Sequence, residues 1–184
     1  MRVIAGLYKG RRLKSPTWDG LRPTSDKLRE TIFNILAPRM SGARVLDGYA
    51  GTGAVGIEAL SRGAATVTFV DQDRRAQALI AENLAHCGIA DGYAIIPSSA
   101  VRAFSELEAR GAAFDLILLD PPYADTDSQI TAALTQSVAL LAPDGFLVLE
   151  HARRRQLPPP AGPLVQTRVV AAGDSALTFY TCQR

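Results

Sequence analysis

Between residues 43 and 150, short runs of consecutive apolar residues alternate with longer stretches in which apolar positions return every three or four residues. The first pattern marks strands buried on both faces, the second amphipathic helices. ARVLD (43–47) reads as a first strand, followed by a glycine-rich turn and a helix through Ala59 and Leu60. TVTFVD (66–71) is the second strand, and RRAQALIAENLAHCG (74–88) a helix stopped at Gly88. YAIIP (93–97) is the third strand, 100–110 a helix, and FDLILLD (114–120) the fourth strand, apolar throughout its middle. Residues 127–141 form a helix and GFLVLE (145–150) a fifth strand. PLVQTRVVAA and SALTFYTCQ read as a terminal antiparallel pair after the loop prolines 158–160. Ahead of the alternation, Leu28, Ile32, Ile35 and Leu36 fall at helical spacing, with Thr24 or Ser25 as cap and Pro38 as stop.

Strand–helix repetition of this kind predicts a doubly wound, Rossmann-like α/β sheet. Such sheets bind ligands outside the carboxyl ends of their strands. Four places therefore carry the candidate chemistry: Asp47 to Gly53, Asp71, Ser98–Ser99, and Asp120 to Tyr123. The 184 residues suit one α/β domain over 25–184, preceded by an extension over 1–24. In that extension RVIA (2–5) and RRLK (11–14), punctuated by Gly6 and Gly10, predict a small β-hairpin.

Composition narrows the picture by exclusion. At 47% hydrophobic and 21% charged the chain matches a soluble globular protein, with no apolar run of membrane-span length and no secretory h-region. Cys87 and Cys182 stand apart, and His86 and His151 lack metal-ligand spacing. A cytoplasmic protein is expected. The formal net charge is only +2, yet residues 1–44 carry +7 and the remainder −5. Arg2, Lys9, Arg11, Arg12 and Lys14 make the extension either a polyanion-facing surface or a solvated basic face.

Two motifs sharpen the chemistry. From Gly51 the chain spells G-T-G-A-V-G, with Asp71 about 20 residues on, which fits a dinucleotide fingerprint. Any adenosine cofactor needs glycines where a strand turns into a helix and an acid for ribose hydroxyls, so this motif alone does not choose between cofactors. Gly56 reads as a helix-packing residue, and Asp73 as a helix N-cap. The second motif is Asp120-Pro121-Pro122-Tyr123. A nucleobase amine is a poor nucleophile, because its lone pair is delocalised into the ring. The Asp120 carboxylate and the Pro121 carbonyl can each accept one amino hydrogen and favour the pyramidal geometry that attacks a methyl group. The paired prolines restrict the backbone that aims this carbonyl. Tyr123 offers a ring on which a base can stack, and a paired base must be flipped out to reach it.

RVIAGLYKGRRL, RPTSDKLRETIFNIL, VLDGYAGTGAVGIEALSRGA and FDLILLDPPY, in this order, resemble the RsmD family of 16S rRNA guanine-N2 methyltransferases across most of residues 2–123. The resemblance implies a class I methyltransferase sheet of seven strands, S-adenosylmethionine as cofactor, a flipped guanine within a small-subunit particle, and no metal. It assigns Asp120, Pro121, Pro122 and Tyr123 to catalysis. It assigns Arg22, Thr24, Asp47, Tyr49, Ala50, Gly51, Thr52, Gly53, Asp71, Gln72, Ser99 and Ala100 to the cofactor. With such a substrate, Arg2, Lys9, Arg11, Arg12 and Lys14 are candidates for RNA phosphate contacts. Arg29 either helps to hold the cofactor carboxylate or is a helix-surface arginine. Two departures stand out. Gly48-Tyr49 replaces the usual Leu or Pro followed by Phe, and Pro97-Ser98-Ser99-Ala100 lacks the adenine-binding acid of the wider class, so Ser99 or a backbone carbonyl would serve. Competing readings are a DNA adenine-N6 methyltransferase, an NAD oxidoreductase and a non-catalytic RNA-binding ribosome assembly factor. The first would want a target-recognition domain and the second a substrate domain, and neither is visible.

Overall fold

The structure is a computed structural model describing residues 1–18, 24–160 and 162–183. Its centre is a seven-stranded sheet in the order β3-β2-β1-β4-β5-β7-β6. The strands are β1 (Arg44–Asp47), β2 (Thr66–Asp71), β3 (Tyr93–Pro97), β4 (Phe114–Leu119), β5 (Leu141–Ala152), β6 (Leu164–Ala172) and β7 (Ser175–Cys182). β1 to β5 run parallel, whereas β7 is antiparallel to both β5 and β6. The helices are α1 (Asp26–Leu36), α2 (Ala54–Ser61), α3 (Arg74–His86), α4 (Ala100–Ala109) and α5 (Asp127–Leu140). A 3₁₀ turn, Ala37–Arg39, continues α1 past the expected stop at Pro38.

The strands divide their side chains between two cores because successive residues point to opposite faces. Val45, Phe69, Leu118 and Phe179 pack with Ile32, Phe33, Ile57 and Ile80 from α1, α2 and α3. Leu46, Val70, Ile117, Leu149 and Tyr180 pack with Phe104 and Leu134 from α4 and α5. Caps follow the sequence. Ser25 accepts from Leu28 N and opens α1, and Asp73 accepts from Arg75 N and opens α3. Gly56 sits where a Cβ would lie 2.2 Å from the Phe69 ring, so α2 can approach β2 only with glycine there.

Two elements differ from the sequence pattern. β5 begins at Leu141 rather than Gly145, directly after α5. Leu141 pairs with Phe114, and the register then shifts before Leu116 meets Phe146, which accommodates Pro143 and Gly145 within the run. The N-terminal extension is a looped hairpin with one bridge, Arg2 to Arg12, rather than two strands. Val3 N, Gly10 N and Leu13 N donate across the hairpin to Arg11 O, Val3 O and Met1 O, while other backbone donors reach the helices. Ile4 N and Ala5 N donate to Glu58 of α2 at 2.7 and 3.0 Å, Tyr8 N donates to Ser61 Oγ, and Lys14 N donates to Asn83 Oδ1. Val3 and Leu13 are buried in the core between β1 and the helices. The extension is thereby tied to α2 and α3.

Candidate active site

The strand order reverses between β1 and β4, which both start from the middle of the sheet and lead to opposite flanks. A crevice opens at such a point at the carboxyl ends of the strands. Here it is a cleft of about 1060 Å³. Each strand delivers its residues at, or just past, its last paired position. Asp47 ends β1, Asp71 ends β2, Ser98 follows β3 and Asp120 follows β4.

The glycine turn is built on backbone hydrogen bonds. Gly48 N donates to Leu118 O at 2.9 Å, Ala50 N to Val70 O at 2.9 Å and Gly53 N to Ala50 O at 2.7 Å, so the turn spans three strands. Gly51 and Gly53 have φ of 54° and 76°, values that favour glycine. Gly48 has a packing reason instead: a Cβ there would lie 2.7 Å from Leu119 and 2.9 Å from Phe104. Tyr49, Ala50, Gly51 and Thr52 line the cleft, while Gly53 stands behind them as the N-cap of α2.

Three carboxylates converge here. Asp47 is buried and accepts from Gly56 N at 3.0 Å. Burial pushes its carboxyl up to about 7; the Gly56 hydrogen bond opposes this, and the charges of Asp120 and Asp71 add to it. Asp71 accepts from Gly51 N and Asp73 N, both at 2.8 Å, tying the turn after β1 to the loop after β2. Burial raises its carboxyl as well, against those hydrogen bonds. Asp120 accepts from Thr24 Oγ1 at 3.3 Å. Thr24, Gln72, Ser99, Ala100, Pro121 and Pro122 also line the cleft. Ser99 caps α4 without a side-chain cap bond, and beside it Ser98 Oγ is buried with no hydrogen-bond partner.

Tyr123 is 47% exposed at the cleft mouth, and its hydroxyl lies 3.0 Å from Ser175 Oγ. Ser175 Oγ in turn donates to Glu150 at 3.0 Å. Glu150 and Ser175 belong to the cleft and were not singled out by sequence. Glu150 ends the fifth strand as the sequence bounds it (145–150), although β5 runs on to Ala152, so the carboxyl-end rule applied to that strand would have reached it. Ser175 opens β7 and carried no signal.

Among the other expected residues, Arg22 lies outside the described residues. Arg29 is neither in the cleft nor on a helix surface. It is fully buried, with its guanidinium on Asp26 at 2.6 Å, Arg2 O at 2.8 Å and Glu58 at 3.8 Å. The sequence left it between the cofactor carboxylate and the helix surface, and it is neither because the docked extension covers its guanidinium. Arg2, Lys9, Arg11, Arg12 and Lys14 are all exposed and lie outside the cleft lining. Arg11 donates to Cys87 O and Lys14 pairs with Glu82. His151 is held by Ala152 O and Thr178, and burial lowers its pKa. No helix among the described residues is long and apolar enough to cross a membrane.

Sheet order, antiparallel last strand and cleft together define a class, the Rossmann-like methyltransferases that depend on S-adenosylmethionine. The model of the family described as conserved hypothetical protein 95 matches residues 1–181, and the chain belongs to this family, the RsmD family of the sequence resemblance. YlbH of Bacillus subtilis is 39% identical over 98% of each chain. Ribosomal RNA small subunit methyltransferase D of Escherichia coli K12 is 36% identical over 98% of this chain and 89% of that one. The solved structure of Escherichia coli yhhF superposes with a TM-score of 0.86 at 32% identity, covering 100% of this chain and 98% of that chain.

Proposed function

We propose that this protein methylates the exocyclic N2 amine of a guanine in 16S rRNA, within a small-subunit particle, using S-adenosylmethionine. The observation that carries the reading is the convergence of Asp47, Asp71 and Asp120 on one cleft beside Tyr123. Three carboxylates in a half-enclosed site suit a cationic ligand and oppose the anionic pyrophosphate of a dinucleotide. When bound, S-adenosylmethionine supplies a methyl group made electrophilic by a sulfonium. The glycine turn allows close backbone approach, Asp71 holds the ribose hydroxyls, and Ser98 and Ser99 stand where an adenine-binding acid is missing. The carboxylate of Asp120 and the carbonyl of Pro121 each accept one amino hydrogen of the target base, and Tyr123 stacks on its ring. Held in this way, the amine nitrogen would present its lone pair to the methyl carbon that the bound sulfonium would release. The methylated nitrogen is then cationic and strongly acidic, so Asp120 or water takes its proton. The name of the Escherichia coli relative supports small-subunit RNA as the substrate, and the basic extension beside the cleft supports a polyanion.

Mass mapping of the methylated nucleotide in small-subunit RNA, from cells with and without the gene, tests this directly. A guanine carrying an N2 methyl only when the gene is present is expected. Transfer to adenine in duplex DNA instead would replace the reading with the DNA methyltransferase. Asp120→Ala is expected to abolish transfer, by about 10²-fold or more, while calorimetry still detects cofactor binding.

A further inference from the structure

We propose that Ser175 and Glu150 are positioning residues that hold Tyr123 as a preset stacking face for the target base. The proposal rests on the base pocket assigned above to Asp120–Tyr123. Tyr123 lies in the irregular loop between β4 and α5 and is half-exposed, so its ring has little packing to orient it. Its hydroxyl instead meets Ser175 Oγ at 3.0 Å. A serine hydroxyl has one proton. Ser175 gives its own to Glu150 Oε1, also at 3.0 Å, and so accepts the proton of Tyr123. The two inner members are anchored: Ser175 is 7% and Glu150 8% exposed, on β7 and β5, which are paired antiparallel. The same side of the fold also holds the loop backbone. Arg155, just after β5, donates to Asp125 O at 2.6 Å, to Tyr123 O at 3.5 Å and to the Asp127 carboxylate at 2.9 Å. Ring and backbone of Tyr123 are therefore fixed from the β5–β7 edge before any base arrives, and the ordering cost of binding is lowered.

Tyr123→Phe keeps the ring and removes the tether, and Ser175→Ala removes it from the other end. Each is expected to raise KM for the RNA substrate by about three- to tenfold, the scale of one hydrogen bond; in Ser175→Ala, which leaves the Asp120–Tyr123 motif intact, cofactor affinity is expected to change little. The double variant is expected to match either single one, because both break the same tether. Glu150→Leu should behave like Ser175→Ala. Glu150→Gln, whose carbonyl oxygen still accepts from Ser175, should restore most of that loss. NMR of ring-labelled tyrosine in the free protein should show greater ring disorder at Tyr123 in Ser175→Ala than in wild type. Equal ring order in the two proteins, or effects of the two single variants that multiply in the double one, would overturn the proposal. The base assignment fails separately: mapping of a product other than N2-methylguanine removes that reading, and ring order still decides the tether.

Discussion

At the scale of single residues, Asp47 is where sequence and site chemistry meet most directly. Its position at the end of β1 was legible, because a strand that turns into a glycine loop must end there. Its electrostatic state was not, because burial and the neighbouring charges of Asp71 and Asp120 come from strands far apart in the chain. The raised carboxyl has a definite sign for stability. The folded state holds its proton up to about pH 7, whereas an unfolded aspartate loses it near the ordinary value of 3.8. The contribution is therefore fully present below about pH 4 and is lost as pH rises toward 7, with a span of up to about 4 kcal/mol. Asp47→Asn keeps an acceptor for Gly56 N and removes the titration. In urea denaturation without cofactor, wild type is expected to lose stability relative to Asp47→Asn between pH 4 and 7. Parallel profiles would show that the carboxyl is ionised without penalty. Binding of a cation nearby reverses the shift, so cofactor binding near pH 6.5 should release protons, countable by calorimetry in buffers of different ionisation enthalpy.

At the scale of elements, the first four strands were legible almost to the residue, because β2, β3 and β4 are bounded by turn chemistry and filled with apolar residues, whereas β5 starts earlier than its pattern. The N-terminal hairpin was legible only as a pair of short segments. What organises it is Glu58, fully buried on α2, which receives Ile4 N, Ala5 N and Arg62 Nε and lies 3.8 Å from the buried Arg29. No local pattern announces a carboxylate that reaches 53 residues back along the chain. The same limit hid the contact of Glu150 with Ser175, which forms only through antiparallel pairing of β5 with β7. Glu58→Ala leaves two backbone donors and a buried guanidinium short of a partner. It is expected to destabilise the protein by about 3–5 kcal/mol, measured by denaturant unfolding, and to raise amide exchange at Ile4 and Ala5 above that at core strands. A uniform rise across all amides would mean that the hairpin is not a separable unit.

At the scale of the whole molecule, the two signs of charge are segregated side by side. The first 44 residues carry +7 and the rest −5, and the acids include Asp47, Asp71, Asp120 and Glu150 in the cleft. The basic hairpin lies against the glycine turn: Met1 Sδ accepts from Thr52 Oγ1 at 3.8 Å, and Asn83 donates to both Lys14 O and Thr52 O. An acidic cleft repels a phosphate backbone but admits a neutral base, while the adjoining cations draw the backbone alongside. Under the proposed function, the two fields together favour one flipped base entering from a strand held outside. The cations are unequal in this role. Lys14 is already paired with Glu82 and Arg11 is engaged by Cys87 O, whereas no ion pair among the described residues engages Lys9 or Arg12. The paired Lys9→Gln, Arg12→Gln variant should therefore weaken RNA binding and flatten its salt dependence. The slope of log affinity against log salt should fall by about 0.7–0.9 for each phosphate no longer neutralised. Lys14→Gln should change the slope less, since its charge is already neutralised by Glu82. Affinities for a small-subunit RNA fragment across a salt series measure both slopes. An unchanged slope in the paired variant would remove the hairpin from the RNA surface and leave recognition to the rim of the cleft.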